Sequence, residues 1–355
     1  MSDEELGNFL ADKDKIAPYP WKKDLFGYGG KFMQDKPEWV PLELMTSCLP
    51  TIVRTHEENL TCRPDGTITL IKVGDWTFLV TAAHCVLDDE NNLLELFLGF
   101  QSKKAAERYF INLKKLDELG GRWILDQSNE RVETGLRKVD LAILPVLIEK
   151  TFLNKIQQEF LPEIYLPKQG IYVYLFQEGI HLGFGNAMSG QTKKVDLDVA
   201  KELGLQDHEI RDAQDKGFNL FLPISSRAQI QDMKPYEENK IIVPIISVGL
   251  PGFSGGPLFF NDRGQPKLFG FVIRTGGKSQ FDSETGKQRI YITEDTKVIV
   301  WSEVVKLLND TLPNLKEEEL PILKSENFLK ATVTYISEEE FVITTSKTEF
   351  EKFDN

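Results

Sequence analysis

The sequence is poor in the residues that build metal centres and disulfide frameworks. Its 355 residues include only three cysteines, Cys48, Cys62 and Cys85, and four histidines, and none of these follows a metal-ligand spacing. An odd number of cysteines cannot all pair within one chain. We therefore expect reduced structural thiols, and neither a metal nor another cofactor.

The sequence also lacks an excess of basic residues and any long apolar run. Its 42 Lys and Arg against 55 Asp and Glu give a net charge of −13, which disfavours nucleic acid and anionic membranes as partners because both attract basic surfaces. The first six residues have neither the basic start nor the apolar centre of a secretory signal, and no apolar run approaches the roughly 20 residues of a membrane helix. We expect a globular, cytoplasmic protein.

The sequence does contain a series of short β-rich runs separated by turn residues. Between 48 and 150 the runs predict these strands: Thr51–Thr55, Thr67–Val73, Trp76–Ala83, Leu93–Phe100, Arg108–Leu113 and Val139–Leu147. The pair Gly74-Asp75 between two of them is typical of a hairpin turn. Such spacing favours an antiparallel barrel or sandwich.

A second β-rich series follows a predicted short helix at 151–160. Its predicted strands, between 161 and 297, are Ile171–Phe176, Phe218–Ile224, Lys240–Val248, Leu258–Phe260, Lys267–Thr275 and Gln288–Thr293. The polar segment Val195–Gly217 predicts a helical insertion on the surface. Apolar residues at helical spacing predict a further helix at 298–310. All-β structure should therefore dominate the fold.

The two ends of the chain differ in composition from its centre. Residues 1–47 are polar with scattered aromatic residues, which predicts an irregular arm. Residues 311–355 open with a charged stretch and carry two weaker strand candidates, Ala331–Ile336 and Phe341–Thr345. This tail is expected to form either an extra hairpin or an interaction arm.

Ser254 stands between glycines in segment 252–257, Gly-Phe-Ser-Gly-Gly-Pro, which joins two apolar runs. A serine on such a tight turn is a candidate nucleophile. It then needs a base to take its proton and a carboxylate to orient that base. An unrelated glycine turn is the alternative interpretation.

Among the four histidines, His84 is the candidate base. It ends a predicted strand, and the small residues of segment 81–85, Thr-Ala-Ala-His-Cys, leave room beside its imidazole. His56 lies in a polar stretch that predicts a solvated loop, His208 lies in the charged insertion, and His181 is interpreted as a loop or pocket-edge residue. The alternative for His84 is a histidine at the edge of the core.

Segments 81–85 and 252–257 resemble the histidine and nucleophile motifs of the chymotrypsin/trypsin-like serine protease family, Thr-Ala-Ala-His-Cys and Gly-x-Ser-Gly-Gly-Pro, in the same order. The family carries its acid between them in an Asp-(Ile/Leu)-Ala-Leu-type strand. Asp140 opens a matching run, Asp-Leu-Ala-Ile-Leu. Capping of local backbone N–H groups is the alternative role for Asp140.

The resemblance covers about 48–310 and implies a chymotrypsin-like double β-barrel with a C-terminal helix and a helical insertion. The implied division is a first barrel at 48–150, a second barrel at 161–297 and the C-terminal helix at 298–310. The arm 1–47 and the tail 311–355 stay outside this match.

The resemblance also implies a serine endopeptidase. Ser254 would attack a peptide carbonyl to form an acyl-enzyme, His84 would take its proton, and Asp140 would orient His84. The backbone N–H groups of Gly252 and Ser254 would form the oxyanion hole. Phe253 stands where cleavage-activated relatives carry an Asp, so activation by a newly freed N-terminus is not available through this position.

The residue six before the serine forms the floor of the primary specificity pocket in trypsin-like members, and here it is Val248. The expected pocket and substrate cleft are further bordered by Ile273, Arg274, Thr275 and Gly276. An aliphatic floor cannot neutralise a cation. We therefore expect a preference for small or apolar side chains instead of the Lys and Arg that trypsin accepts.

Two further interpretations remain open. A module that kept the fold but lost catalysis would bind protein segments in its cleft, although the complete triad weighs against it. A regulated intracellular protease of bacterial defence or stress response would cleave one partner protein, since signal-less bacterial members of the family act in this way. The expected partners are a protein or peptide substrate and a regulatory protein, with 1–47 and 311–355 as regulatory elements.

Overall fold

The structure, a computed structural model, describes residues 39–40, 44, 47–54, 61–73, 76–101, 107–125, 139–153, 179–184, 223–229, 242–247, 252–274, 277–282, 287–292, 295–335 and 341–344. Strands dominate these residues and the helices are few and short. The prediction of a mainly β fold is confirmed. The predicted strand Ile171–Phe176, the insertion Val195–Gly217, the turn Gly74-Asp75 and most of the arm 1–47 lie outside the described residues.

The described strands are β1 Cys48–Arg54, β2 Thr61–Val73, β3 Trp76–Thr81, β4 Phe97–Gln101, β5 Glu107–Asn112, β6 Ile124–Leu125, β7 Ala142–Ile148, β8 Gly179–Gly183, β9 Ile224–Gln229, β10 Ile242–Ser247, β11 Pro257–Asp262, β12 Gln265–Arg274, β13 Gly277–Asp282, β14 Lys287–Ile292, β15 Asp295–Val300, β16 Ile322–Leu323, β17 Leu329–Tyr335 and β18 Phe341–Thr344. The α-helices are α1 Leu113–Glu118, α2 Lys150–Leu153 and α3 Trp301–Thr311, and the 3-10 turns are Ala83–Cys85, Leu312–Asn314, Glu317–Glu319 and Ser325–Asn327. Of the helix predicted at 151–160, only the part up to Leu153 is described.

Some strand ends differ from the sequence pattern, each for a local reason. β2 begins at Thr61 instead of Thr67, because its first residues pair with β1 as far as Arg54 opposite Cys62. β3 ends at Thr81, before the predicted Ala83, because Ala83 begins a 3-10 turn. These shifts leave the predicted order of the elements unchanged.

The N-terminal strands belong to a ten-stranded sheet in the order β1-β4-β5-β17-β18-β2-β3-β7-β16, with β6 on β7. Thr51 of β1 lies opposite Gly66 of β2 on one edge and opposite Leu98 of β4 on the other. The sheet therefore curls back on itself. An architecture of two closed barrels stays a prediction.

Residues 322–344, which lie beyond the predicted protease region, contribute strands to this same sheet. β16 runs parallel to β7, where Leu147 N donates to Pro321 O at 2.9 Å and Glu149 N donates to Leu323 O at 3.1 Å. β17 pairs with β5 and with β18, and β18 pairs with the start of β2. The end of the chain thus covers strand edges near its beginning.

An aromatic cluster fixes this part of the chain. Phe328, just before β17, stacks on Phe152 with ring centroids 4.1 Å apart and meets Phe100 edge-on at 5.1 Å. Tyr109 of β5 packs edge-on against Phe152. Since aromatic pairs favour such offset and edge-on geometries, the cluster anchors β17 to β5 and α2.

The C-terminal strands close into a barrel in the order β10-β15-β12-β11-β8-β9, all within residues 179–300. β13 and β14 form a separate two-stranded hairpin. Helix α3 begins at Trp301 instead of at the predicted residue 298, because residues 298–300 belong to β15, and it buries Trp301, Val304 and Leu308. Trp301 contacts Phe271 of β12 edge-on, so α3 packs on the barrel.

One hydrophobic core joins the N-terminal sheet and the side of the barrel that faces it. It includes β2 and β3 residues together with Ile180, Phe253 and Phe271. A separate, smaller cluster consists of residues from the barrel strands and includes Leu258, Phe260 and Val298. The turn that bears Ser254 therefore lies where the barrel meets the N-terminal sheet.

Candidate active site

The end of β3 presents His84. Ala82 is extended, and Ala83 to Cys85 form one 3-10 turn that lifts the His84 side chain out of the sheet. Ala82 and Ala83 are fully buried, whereas the His84 side chain is 44% exposed. The small buried residues before the histidine therefore form a packed support from which the imidazole projects into solvent.

The pairing of β3 with β7 brings Asp140 to His84. Thr81 lies opposite Ala142, and continuation of the antiparallel register by two residues puts Asp140 beside the 3-10 turn, where Ala83 N donates to Asp140 O at 3.2 Å. The Asp140 carboxylate is 3% exposed. Its Oδ2 lies 2.5 Å from His84 Nδ1, and its Oδ1 accepts from the His84 backbone N–H at 3.0 Å.

The ionisation of this pair follows from its contacts. Burial by itself would raise the pKa of Asp140, but the hydrogen bonds and charge of His84, with a further contribution from the charge of Arg274, hold that pKa below its ordinary value. Burial by itself would lower the pKa of His84, but its hydrogen bond to Asp140, its interaction with Cys85 and the charge of Asp140 together raise that pKa above its ordinary value. A carboxylate therefore faces a donating Nδ1–H.

Ser254 lies on a tight turn that two glycines make possible. Gly252 has φ 95° and Gly255 has φ 87°, a region in which a side chain would be strained. Gly256 N donates to Phe253 O at 2.9 Å, and Gly255 N donates to Val272 O on β12 at 2.6 Å. Ser254 itself is 8% exposed.

Gly255 and Gly256 also have no room for a side chain. A Cβ on Gly255 would lie 1.9 Å from Thr67 O and 2.2 Å from Thr81 Oγ1, and a Cβ on Gly256 would lie 1.9 Å from Leu182 O. Both glycines therefore permit close approach of the turn to β2, β3 and β8.

The turn is fastened to the N-terminal sheet by hydrogen bonds to its carbonyl groups. Thr67 N donates to Ser254 O at 3.0 Å, and Thr67 Oγ1 donates to Gly252 O at 2.8 Å. Thr69 Oγ1 donates to Gly255 O at 3.0 Å. Cys85 Sγ, next in the chain to His84, lies 3.5 Å from Ser254 O. The serine turn thus lies against β2 and against the 3-10 turn that bears the histidine.

The peptide N–H groups expected to form the oxyanion hole lie on this turn. Among the described residues, no backbone carbonyl accepts a hydrogen bond from the N–H of Gly252 or Ser254. The carbonyl groups of the same two residues both bond to Thr67. The carbonyl groups of Gly252 and Ser254 are therefore held by Thr67, while no described backbone carbonyl accepts from their N–H groups.

Phe253 and His181 pack together under the turn. Phe253 is fully buried, its ring meets the His181 imidazole edge-on at 4.7 Å, and a Cβ on Gly183 would lie 2.8 Å from the ring. Burial lowers the pKa of His181 to about 3, although a hydrogen bond with the Phe253 backbone opposes this shift. His181 is therefore a neutral imidazole at neutral pH.

His181 corrects one prediction from the sequence. It was expected in a loop or at a pocket edge, but it lies in β8, fully buried, opposite Leu258 of β11 and Ser226 of β9. Gly179 and Gly183, at the two ends of β8, make room for Phe260 and Phe253.

The residues predicted for the specificity pocket are described in part. Ile273 is buried in β12, and Arg274, at the end of β12, is half-buried. Val248, Thr275 and Gly276 lie outside the described residues. Preference for a small or apolar side chain stays a prediction.

Sequence reasoning missed Thr67, Thr69, Thr81 and His181 as neighbours of the serine. Thr67 and Thr69 are two apart in one strand, so their side chains lie on the same face. Two hydroxyl groups on one face of β2, beside the apolar residues Ile68 and Leu70, were the available signal, because hydroxyl groups that become buried need partners.

The described residues contain no group of three or more His, Cys, Asp or Glu arranged to hold a metal ion. Cys48 and Cys85 are buried thiols without a disulfide. Over the described part of the chain, every helix is too short or too polar to span a bilayer.

The chain matches no protein-family model and no curated protein sequence. The solved structures to which it is similar include the following two. A serine-to-alanine mutant of Rv3671c from M. tuberculosis H37Rv, in an inactive form, is 14% identical with a TM-score of 0.39, covering 80% of this chain and 94% of that chain. Neuropsin, a serine protease expressed in the limbic system of mouse brain, is 12% identical with a TM-score of 0.42, covering 77% of this chain and 97% of that chain. Both likenesses are distant, so function has to be inferred from the site itself.

Proposed function

We propose that this protein is a serine endopeptidase that hydrolyses peptide bonds through an acyl-enzyme. Ser254 is the nucleophile, His84 is the general base and acid, and Asp140 orients His84. The observation that carries the proposal is the contact of Asp140 with both the ring and the backbone of His84, beside the turn that bears Ser254.

The Asp140 contacts prepare His84 to act as a base. Because the pKa of Asp140 is held low, its carboxylate only accepts hydrogen bonds, and His84 Nδ1 must carry the proton. In the neutral form of His84 the other ring nitrogen, Nε2, has a lone pair that can accept the serine proton, and because the pKa of His84 is raised to about 10, this form becomes more populated as pH rises. A second bond from the His84 backbone to Oδ1 keeps the carboxylate from rotating.

The reaction then follows from these groups. Ser254 Oγ bonds to the substrate carbonyl carbon while its proton moves to His84 Nε2. The developing oxyanion accepts hydrogen bonds from the N–H groups of Gly252 and Ser254. His84 returns the proton to the amine as the C–N bond breaks, and a water molecule, deprotonated by His84, hydrolyses the ester on Ser254.

The substrate proposed is a protein or peptide with a small or apolar side chain at the cleavage site, because Val248 would form an aliphatic pocket floor. The buried thiols of Cys48 and Cys85 fit a reducing compartment such as the cytoplasm. No cofactor is needed for the proposed chemistry.

Labelling with a fluorophosphonate probe tests the proposal, since the probe reacts with activated serines. We expect labelling of the wild type and of Ser302→Ala, a control at an exposed serine on α3, and none of Ser254→Ala or His84→Ala. Absence of labelling in the folded wild type would instead support a catalytically silent module that binds protein segments.

Cleavage of a peptide library tests the proposed specificity. We expect cleavage after small or apolar residues. Efficient cleavage after Lys or Arg would show that Val248 does not form the pocket floor, while leaving the nucleophile assignment intact.

A further inference from the structure

Thr67 occupies an unusual place in β2. Two residues further along, Thr69 pairs with Val80 of β3 in the regular ladder. At Thr67 the same edge of β2 faces the barrel instead of β3, and the Thr67 N–H donates to Ser254 O. The Thr67 carbonyl accepts from Thr81 Oγ1 at 2.7 Å. Thr67 is the point where the N-terminal sheet is joined to the serine turn.

The Thr67 hydroxyl has a fixed direction. Phe184 N, at the end of β8, donates to Thr67 Oγ1 at 2.9 Å, so the hydroxyl proton is directed elsewhere. It is donated to Gly252 O at 2.8 Å. Thr67 is fully buried, and a buried hydroxyl with both a donor and an acceptor has little freedom to rotate.

These bonds act on two peptide groups of the turn. The carbonyl of Gly252 belongs to the peptide group before Phe253, and the carbonyl of Ser254 belongs to the one after Ser254. Thr67 bonds to both. Between them lies the peptide group whose N–H is that of Ser254. Its carbonyl, Phe253 O, accepts from Gly256 N. All three peptide planes are therefore fixed.

We propose that Thr67 is a positioning residue that holds the oxyanion turn in its working shape. The inference rests on the proposed protease function and deepens it. The Ser254 N–H belongs to the peptide group between the two that Thr67 holds. Loss of the Thr67 hydroxyl frees the Gly252 carbonyl, so the neighbouring Ser254 N–H can tilt away from the developing charge, which should slow formation of the bond to Ser254. It should not weaken initial binding, since Thr67 is buried behind the turn.

Kinetics of fluorophosphonate labelling test the inference, because they separate the maximal rate of bond formation from the concentration that half-saturates the site. We expect Thr67→Ala to lower the maximal rate roughly 100-fold, the scale that misplacement of a catalytic group produces, with half-saturation unchanged. Thr67→Ser, which keeps the hydroxyl, should react near the wild-type rate.

Thr51→Val is the matched control. Thr51 is a fully buried threonine of β1 in the same sheet, and its hydroxyl has no hydrogen-bond partner among the described residues. We expect it to label at the wild-type rate. Far-UV circular dichroism and the Tm of each variant confirm that labelling is measured on folded protein.

Three outcomes decide between the proposals. A wild-type labelling rate in Thr67→Ala overturns the role of Thr67 and leaves the proposed function standing. A rate in Thr67→Ser as low as in Thr67→Ala also overturns it, because the methyl group would then matter and not the hydroxyl. A folded wild type that does not label at all overturns the proposed function, and the role of Thr67 with it. Thr67→Val, which puts a methyl group against Gly252 O, is avoided because it could prevent folding.

Discussion

The C-terminal barrel and the N-terminal sheet are completed in different ways. Every strand of the barrel comes from residues 179–300. The sheet that bears His84 and Asp140 takes β1 to β7 from residues 48–148 and then β16 to β18 from 322–344. The barrel is built from local chain, whereas the sheet depends on strands more than 170 residues away. The two halves of one candidate site therefore rest on supports with different vulnerabilities.

Removal of the last strands should break the sheet and is the largest expected effect. A chain ending at residue 315 leaves one edge of β5, part of β7 and the cluster around Phe152 uncovered. We expect aggregation or loss of a cooperative unfolding transition, because exposed strand edges and apolar surface favour association. Soluble yield and thermal unfolding measure this.

A chain ending at residue 344 is the control for this truncation, because it retains every described strand and should unfold like the full chain. If the chain ending at 315 unfolds cooperatively at the wild-type Tm, the last strands are dispensable to the sheet. Strands β16 to β18 would then have a regulatory role and not a structural one.

The single substitution Phe328→Ala tests the same support more gently. It removes a buried ring that stacks on Phe152 and meets Phe100, and we expect the free energy of unfolding to fall by about 3 kcal/mol. Urea denaturation measures it. The control Ile322→Ala truncates a side chain that is 44% exposed on β16 and should change stability far less. Equal losses in both variants would contradict the importance of the aromatic cluster.

Gly270→Ala tests the barrel. A Cβ at Gly270 of β12 would lie 2.0 Å from Ile299 O of β15, so the strands must separate locally, at a cost of about 2 kcal/mol. Lys267→Ala, at an exposed position on the same strand, is the control and should change stability by about 0.5 kcal/mol or less. Wild-type stability in Gly270→Ala would show that β12 and β15 can shift without cost.

The two described histidines sharpen the comparison, since one belongs to each region. The raised pKa of His84 adds stability that is full below the ordinary value of 6.5 and is lost as pH rises through its folded value. The lowered pKa of Asp140 adds stability that is present above 3.8 and is lost as pH falls through its folded value. Their contribution is therefore largest between about pH 4 and 6.5.

Asp140→Asn should remove that contribution. The difference in unfolding free energy from the wild type should be about 1 kcal/mol, since His84 is 44% exposed, and should narrow on both sides of this range. Between about pH 3 and 6.5, His181 in the barrel is protonated in the unfolded chain but not in the folded chain. This destabilises the wild type and Asp140→Asn equally, so it cancels in the difference between their unfolding free energies. A difference that grows steadily above pH 6.5 would contradict the assigned direction for His84.

A reducing agent should have the smallest effect. Cys48 lies in the sheet and Cys85 follows His84, and both are buried thiols without a disulfide. We expect no measurable shift of Tm between reducing and non-reducing buffer. A clearly lower Tm in the reducing buffer would contradict the assignment of these cysteines as free thiols.

The sequence allowed prediction of the residues of the candidate site but not of their supports. His84 and Asp140 belong to short contiguous runs, and the alternation of apolar residues set the strands whose register brings them together. Thr67 looked like any strand threonine, because its partner Gly252 lies 185 residues away. Likewise, the periodicity around Ala331 indicated a strand, but periodicity does not specify that β5 is its neighbour. The pattern of residues along the chain indicates which segments form strands. Which strands become neighbours depends on the folded arrangement of the whole chain, and a single sequence does not reveal it.

The late position of β16 to β18 also sets an order of assembly on the ribosome. All strands of the barrel have been synthesised by residue 300, but the partners of β5, of the far end of β7 and of the start of β2 have not. Domains usually fold as the nascent chain emerges, beginning from the N-terminus. Here the strands that are translated first are completed last, so His84 and Asp140 gain their full support only after residue 344 has been added.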